Sequence, residues 1–230
     1  MHPFYKEKGD PTDPKNYRGI ALTSVAYKLL TSLIVRRLYE CTVHDLPCEQ
    51  FGFLPGKSTA DALRFVIEHV SERQRDKNMT YAAFVDFQTA FDSGPRDRLL
   101  EILRERFNIK GQLFNLIRDM LSHNFITIKN GNHYINEPVT QKTGVAQGDS
   151  ASSFLFILYI AGLADLLRTM KAPHAFYADD LVVLAKSREH LQFYLIETST
   201  CCAENRLIMN ISKTKILRFS RGGSYAVADH

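Results

Sequence analysis

Apolar residues recur every three to four positions in the first third of the chain and cluster in short unbroken runs after it. Over residues 24–41 the series Val25, Leu29, Leu30, Leu33, Ile34 and Leu38 predicts an amphipathic helix facing a core. Ala62, Leu63, Val66, Ile67 and Val70 predict a second helix, with Ser58 as its N-cap and Asp61 three residues on. Residues 5–18 are polar and carry Gly9, Pro11 and Pro14, so they read as loop or extended chain. The period changes at Tyr81, where Tyr81-Ala82-Ala83-Phe84-Val85-Asp86-Phe87 is a short apolar run of the kind a buried strand presents.

Beyond it, helical periods cover about 96–106 and 111–122, and 125–128 with 133–135 around Asn130-Gly131 predict a hairpin. Residues 152–169 are apolar on nearly every helical face, which predicts a buried helix. Two apolar runs, 175–178 and 181–185, flank Asp179-Asp180 and predict strands meeting at an acidic tip. A helix at about 188–205 and a strand at about 214–219 follow, and the tail 220–230 reads as loose. With the 125–135 hairpin set aside as an insertion, the order from Tyr81 is βαββαβ. That predicts an α+β fold: a split-βαβ, ferredoxin-like antiparallel sheet with helices on one face. Such a sheet brings the end of the first strand beside the tip of the central hairpin.

The candidate chemistry sits at those two places. Asp86 ends one apolar run and Asp179-Asp180 interrupt another. A charge among apolar residues is costly unless it is paired, hydrogen-bonded or bound to metal, and adjacent carboxylates repel. Hard oxygen donors favour Mg²⁺ or Mn²⁺, and two such ions can activate a hydroxyl and stabilise a leaving oxygen. The plainer readings are a solvated turn for Asp179-Asp180 and a strand-end cap for Asp86.

Composition changes this picture little. Hydrophobic residues are 45% and charged residues 23% of 230, ordinary for a globular protein, and the net charge is +4. Seven basic against four acidic side chains in the first forty positions account for three of those four charges, a skew suited to phosphate. The four cysteines, Cys41, Cys48, Cys201 and Cys202, have no zinc spacing and read as reduced structural thiols. The longest uncharged apolar stretch, 151–164, is too short to span a bilayer, and the N-terminus lacks an apolar leader. An intracellular location without a membrane partner is expected, in the cytoplasm or nucleus.

Several segments resemble the reverse transcriptases of non-LTR, LINE-like retrotransposons. Phe84-Val85-Asp86-Phe87-Gln88-Thr89-Ala90-Phe91-Asp92-Ser93 resembles their motif A, and Gly144-Val145-Ala146-Gln147-Gly148 the start of motif B. Phe176-Tyr177-Ala178-Asp179-Asp180 resembles motif C, the YADD box, and residues 207–215 resemble motif D. Lys6-Glu7-Lys8-Gly9-Asp10, Asn16-Tyr17-Arg18-Gly19-Ile20 and the segment 50–59 resemble the fingers and the stretch before the palm. The likeness runs in order over about residues 4–220.

The resemblance implies a right-hand polymerase fold, with partial, mainly helical fingers over 1–80, a palm over 81–220 and a tail over 221–230. It implies an RNA-directed DNA polymerase that uses two divalent ions, Mg²⁺ or Mn²⁺, to add dNTPs to a DNA primer on an RNA template. Asp86, Asp179 and Asp180 are then metal ligands, and Phe91 the steric gate against a 2′-hydroxyl. Lys8 and Arg18 contact triphosphate, and Gln147 and Gly148 line the nucleotide pocket. Lys213 is a general acid toward pyrophosphate, with Lys215 as its rival. For Phe91 core packing, and for Lys8 and Lys213 ordinary surface charges, remain the simpler readings. The alternatives for the whole are a truncated inactive relic and a non-catalytic nucleic-acid-binding module.

The sequence departs from the pattern in motif B, where Asp149-Ser150-Ala151-Ser152-Ser153 replaces the usual prolines. Asp149 reads either as a charge repelling triphosphate or as a cap on the following helix. Motif A lacks its usual lysine near Gln88-Thr89, and Gly94 stands where an apolar residue is usual. No counterpart of the family's thumb, endonuclease or zinc knuckle is found in these 230 residues.

Overall fold

A computed structural model describes residues 1–88, 94–122, 125–130, 133–134, 138–141, 143–145, 149–220 and 225–227. In chain order the elements are β1 (His2–Tyr5), β2 (Tyr17–Ile20), α1 (Val25–Thr42), α2 (Thr59–Arg75), β3 (Thr80–Val85), β4 (Phe87–Gln88), α3 (Arg96–Glu105) and α4 (Gly111–Ser122). Then come β5 (Phe125–Ile126), β6 (Lys129–Asn130), β7 (His133–Tyr134), β8 (Val139–Thr140), α5 (Ser150–Thr169), β9 (His174–Tyr177) and β10 (Asp180–Ala185). The last are α6 (Arg188–Glu204), β11 (Ile208–Met209), β12 (Lys215–Phe219) and β13 (Tyr225–Val227). They group into two compact units, residues 1–44 with 91–156, and residues 45–90 with 157–230. The expected division at residue 80 does not match this grouping, because α2 packs on β9 and β3 and so belongs with the sheet.

In the first unit the polar N-terminal stretch, expected as loop, contains an antiparallel pair, β1 with β2, in which Phe4 faces Arg18. Local hydrogen bonds shape the loop between them. The Asp10 carboxylate accepts from the Thr12 N–H at 2.8 Å, which holds Asp10 below its ordinary pKa, and the Tyr5 and Tyr17 hydroxyls donate to the Gly9 and Pro11 carbonyls. The predicted 125–135 hairpin is a longer ribbon with a break. Phe125 and Ile126 pair with Thr140 and Val139, and Lys129 and Asn130 pair with Tyr134 and His133.

α1 starts where expected, with the Ser24 hydroxyl accepting from the Tyr27 N–H at 3.2 Å. It buries Thr31, Ile34, Leu38 and Thr42, whereas Val25, Leu29 and Leu33 of the expected core face are 75%, 63% and 62% exposed. Asp149 is buried, and its Oδ1 accepts from the Thr31 hydroxyl at 2.8 Å, which fastens the start of α5 to α1. Its carbonyl accepts from the Ser152 N–H at 3.2 Å in the first turn of α5. Arg96 reaches across a turn of chain. Its Nε donates to the Gly144 carbonyl at 2.9 Å, and its Nη1 donates to the carbonyls of Leu121 and Gln141.

α5 extends to Thr169, past the uncharged run, and its stretch Ala151–Thr169 is long and apolar enough to cross a membrane, although 72% of it is buried within the protein. A core helix reads the same way by composition.

The second unit holds a five-stranded antiparallel sheet in the order β13-β12-β3-β10-β9. The four strands without β13 have the sequence-predicted split-βαβ order, the first strand lying between the last and the third. The β13 edge is a correction: 225–227 pair with β12, Leu217 facing Val227, rather than forming a loose tail. Strand β12 offers a free row of backbone groups on that side, and a short apolar segment satisfies it.

The expectation of helices on one face also needs revising. Val66 and Val70 of α2 pack on Ala82, Ala175, Val182 and Leu184. The alternate positions Ala83, Val85, Leu181 and Val183 are buried as well, and α6 contacts β10 and β3. Burial on both faces explains why these strands read as continuous apolar runs rather than alternating ones.

Candidate active site

β10 runs antiparallel to β3, and the ladder ends with Leu181 opposite Val85, so Asp180 and Asp86 each adjoin that last pair. Asp180 also pairs with Tyr177 of β9, leaving Ala178 and Asp179 as the two-residue tip of the hairpin. The three predicted carboxylates therefore lie at one end of the sheet. Burial, with the charges of Asp179 and Asp86, holds Asp180 above the usual carboxylate range. Among the described residues no three His, Cys, Asp or Glu side chains are drawn close enough to enclose one ion. Asp86 Oδ2 is instead engaged with protein donors: Asn210 Nδ2 at 2.9 Å and Lys213 Nζ at 3.2 Å.

Asp86 stands where the chain changes partners. The strand before it belongs to the main sheet, and β4 directly after it pairs with β11, Phe87 facing Met209 and Gln88 facing Ile208. The Asn210 N–H donates to the Asp86 carbonyl at 2.7 Å and closes this junction. Asn210 is itself fixed on every side. Its Oδ1 accepts from the Ser212 hydroxyl at 2.8 Å, and its carbonyl accepts from the Thr214 N–H and hydroxyl, both at 2.9 Å. This tight turn carries Lys213 to Asp86, whereas Lys215 lies on β12 opposite Phe84. Of the two rival lysines, Lys213 is the one paired with Asp86.

The acidic hairpin is held from its other side by the segment 49–52, whose backbone exchanges Phe176 N–H to Glu49 carbonyl and Phe51 N–H to Phe176 carbonyl bonds, each 2.8 Å. Gln50 is 2% exposed. Its Oε1 accepts from the N–H groups of Gly52 at 2.8 Å and Ala178 at 3.1 Å, and its Nε2 lies 3.4 Å from the Ala178 carbonyl. Ala178 has φ of 58°, a left-handed conformation that costs a non-glycine residue about 1–3 kcal/mol unless the surroundings enforce it. A Cβ on Gly52 would fall 2.2 Å from the Ala178 nitrogen, so only glycine admits this approach.

Two cations anchor the segment. Lys57 Nζ donates to the carbonyls of Cys48 and Gln50, both at 2.7 Å, and lies over the Phe51 ring. Arg168 forms a two-pronged pair with Glu49 at 2.6 and 3.2 Å. Burial raises the Glu49 pKa, but hydrogen bonds from Arg168, from the Glu49 backbone and from Cys48, with the charge of His174, together outweigh it and bring Glu49 down to about 2.

Gln50, Gly52 and Asn210 are the functional neighbours that sequence reasoning did not single out. The hints present were a Gln-x-Gly before a helix cap and an Asn directly after a short apolar pair. Of the remaining predicted residues, Lys8 and Arg18 are exposed, in the loop after β1 and on β2 of the first unit. Phe91, Gln147 and Gly148 lie outside the described residues. None of the four cysteines forms a disulfide among the described residues, and burial raises the Cys202 thiol to about 12, in keeping with structural thiols.

A charged hairpin tip facing a strand-end aspartate, on a sheet of this order, is the layout of a polymerase palm. The sequence pattern of the reverse transcriptase (RNA-dependent DNA polymerase) family matches residues 6–225. The chain belongs to that family. This reverse transcriptase domain is 30% identical over 220 residues to a probable RNA-directed DNA polymerase from transposon BS of Drosophila melanogaster, covering 90% of this chain and 24% of that protein. It is 27% identical over 196 residues to the RNA-directed DNA polymerase from the mobile element jockey of the same organism, covering 82% and 21%. With a Pol polyprotein of the retrotransposable element R2 of Popillia japonica it shares 24% identity, covering 95% and 32%. The domain thus spans less than a third of each of these relatives.

Among solved structures, apo telomerase of Candida tropicalis truncated from its C-terminal domain aligns with a TM-score of 0.60 at 15% identity, over 86% of this chain and 41% of that one. Telomerase of Candida albicans, in complex with a TWJ fragment of telomeric RNA, aligns at 0.62 with 13% identity, over 89% and 36%. The shared feature is the right-hand polymerase fold.

Proposed function

We propose that this domain carries the nucleotidyl-transfer chemistry of a non-LTR retrotransposon reverse transcriptase, adding dNTPs to a DNA primer on an RNA template. The observation that carries the reading is the antiparallel register of β10 on β3, which ends with Leu181 opposite Val85 and so leaves Asp180 and Asp86 at the same end of the sheet, with Asp179 at the adjoining tip. The residues fit divalent cations. They are hard oxygen donors, and burial, with the charges of Asp179 and Asp86, disfavours the ionised form of Asp180 until positive charge is supplied. Asp86, Asp179 and Asp180 would hold two Mg²⁺ or Mn²⁺ ions, which when bound supply an activated primer hydroxyl and stabilise the leaving pyrophosphate.

The chain's own residues do the rest. Asn210 and the β11 turn orient the Asp86 carboxylate, and the 49–52 segment fixes the hairpin. Lys213, with its ammonium 3.2 Å from Asp86 and its side chain 67% exposed, is assigned as the proton donor to the leaving pyrophosphate. Lys8 and Arg18 are assigned to the triphosphate, Phe91 to sugar discrimination, and Gln147 and Gly148 to the nucleotide pocket. An intracellular setting, in cytoplasm or nucleus, goes with these substrates.

Primer extension on an RNA template tests the reading, with the domain in place of the matching region of the jockey polymerase. Dideoxynucleotide-terminated cDNA is expected with Mg²⁺ or Mn²⁺, and Asp180→Asn is expected to lower the rate by at least 10³-fold while leaving the circular dichroism unchanged. A folded wild-type chimera that incorporates nothing with either ion overturns the assignment.

A further inference from the structure

We infer that two buried carboxamides, Gln50 and Asn210, are positioning residues that set the spacing between Asp86 and the Asp179-Asp180 tip. The inference deepens the polymerase reading above and rests on it. Each carboxylate-bearing strand end has one such amide. Gln50 brackets the backbone of Ala178, the residue immediately before Asp179, through both its N–H and its carbonyl. Asn210 brackets Asp86 in the same way, with its side-chain amide on Oδ2 and its backbone N–H on the Asp86 carbonyl. The two come from segments far apart in sequence, and both are nearly solvent-free, at 2% and 9% exposure.

Their chemistry suits the task better than a charged side chain would. A carboxamide donates to a carboxylate without bringing a charge, so Asn210 fixes the Asp86 rotamer without adding to the positive charge that Lys213 already places beside Oδ2. The direction of the Asn210 amide is itself determined. Ser212 donates to Oδ1, which leaves Nδ2 as the end facing Asp86; a flipped amide would set oxygen against oxygen. At the other amide, Oε1 of Gln50 receives two backbone N–H groups, and one of them enforces the left-handed turn at Ala178. Ligands for paired divalent ions need placement to within about half an ångström, and neither strand end is fixed that closely by ladder bonds alone: Asp86 lies between two sheets, and Ala178 and Asp179 lie in a turn.

The test measures Mn²⁺ binding by electron paramagnetic resonance in the absence of substrate, together with metal and dNTP titrations of primer extension. Asn210→Leu and Gln50→Met keep the volume and remove the hydrogen bonds. Each is expected to weaken Mn²⁺ binding at least tenfold and to raise the half-saturating metal concentration similarly, with KM for dNTP at saturating metal within twofold of wild type. Ser212→Ala, which frees the Asn210 amide without touching Asp86, is expected to weaken Mn²⁺ binding about threefold, and it supplies the measurement if Asn210→Leu does not fold. Wild-type or tighter Mn²⁺ affinity in the folded variants overturns the inference, as does a loss confined to melting temperature. A wild-type protein that neither binds Mn²⁺ nor extends a primer overturns the polymerase reading instead, so the two failures are distinguishable.

Discussion

Gly52 has no space for a side chain, and the atom in the way is backbone rather than a yielding side-chain tip. Gly52→Ala should push the Ala178 turn outward, cost about 1–3 kcal/mol of stability as an overpacked contact, and lower primer extension at least tenfold. A denaturation curve and a rate measured on the same sample check both effects. The carboxylates point the opposite way for stability. Burial and like charges disfavour ionised Asp180, so Asp180→Asn should raise the melting temperature in metal-free buffer at pH 7 even as it abolishes turnover. These acids were legible in the sequence because a charge inside an apolar run demands an explanation. Gln50 and Asn210 were not, because an uncharged amide in a turn-rich segment looks like any loop residue until its hydrogen-bond partners are known. Asp149 shows the converse: the sequence offered repulsion of substrate or helix capping, and only the fold supplied Thr31 as the partner of its carboxylate.

At the scale of elements, two ties invite separate tests. Arg168 fastens the 49–52 segment through Glu49, whose depressed pKa means that its contribution is present above about 4.5 and is lost as pH falls toward about 2. Arg168 is half exposed, so Arg168→Leu should cost only about 1 kcal/mol at pH 7. The difference from wild type should shrink as a urea-melt series moves below pH 4.5. Arg96 serves three carbonyls from one guanidinium, and Arg96→Met should cost about 3 kcal/mol by leaving them without their donor. Strands β3, β9 and β10 were legible because burial on both faces writes itself as unbroken apolar runs. β1 and β2 were hidden by polar residues that stay exposed on a two-stranded ribbon, and β13 by its brevity: its pairing depends on an edge that sequence alone does not reveal.

For the molecule as a whole, buried histidine sets the acid limit. His174 is 2% exposed, and its Nδ1 donates to the Ala172 carbonyl at 2.8 Å, with burial holding it below its ordinary value of 6.5. His69 is depressed for the same reason. The unfolded chain therefore binds more protons than the native one below pH 6.5, and folding stability should be full above that value and fall as the solution is acidified through it. His174→Phe should flatten this slope in chemical denaturation between pH 7 and 5. The sheet order was readable from the succession of runs, whereas the grouping of α2 with the sheet was not, since periodicity tells which side of a helix is apolar but not what it will meet. α1 makes that gap practical. Its Val25, Leu29 and Leu33 stripe lies open to water, so the dissolved domain should be adhesive, sedimenting as larger species when concentrated. Leu29→Glu with Leu33→Glu should restore a single slow boundary at a nearly unchanged melting point, because both leucines are more than half exposed.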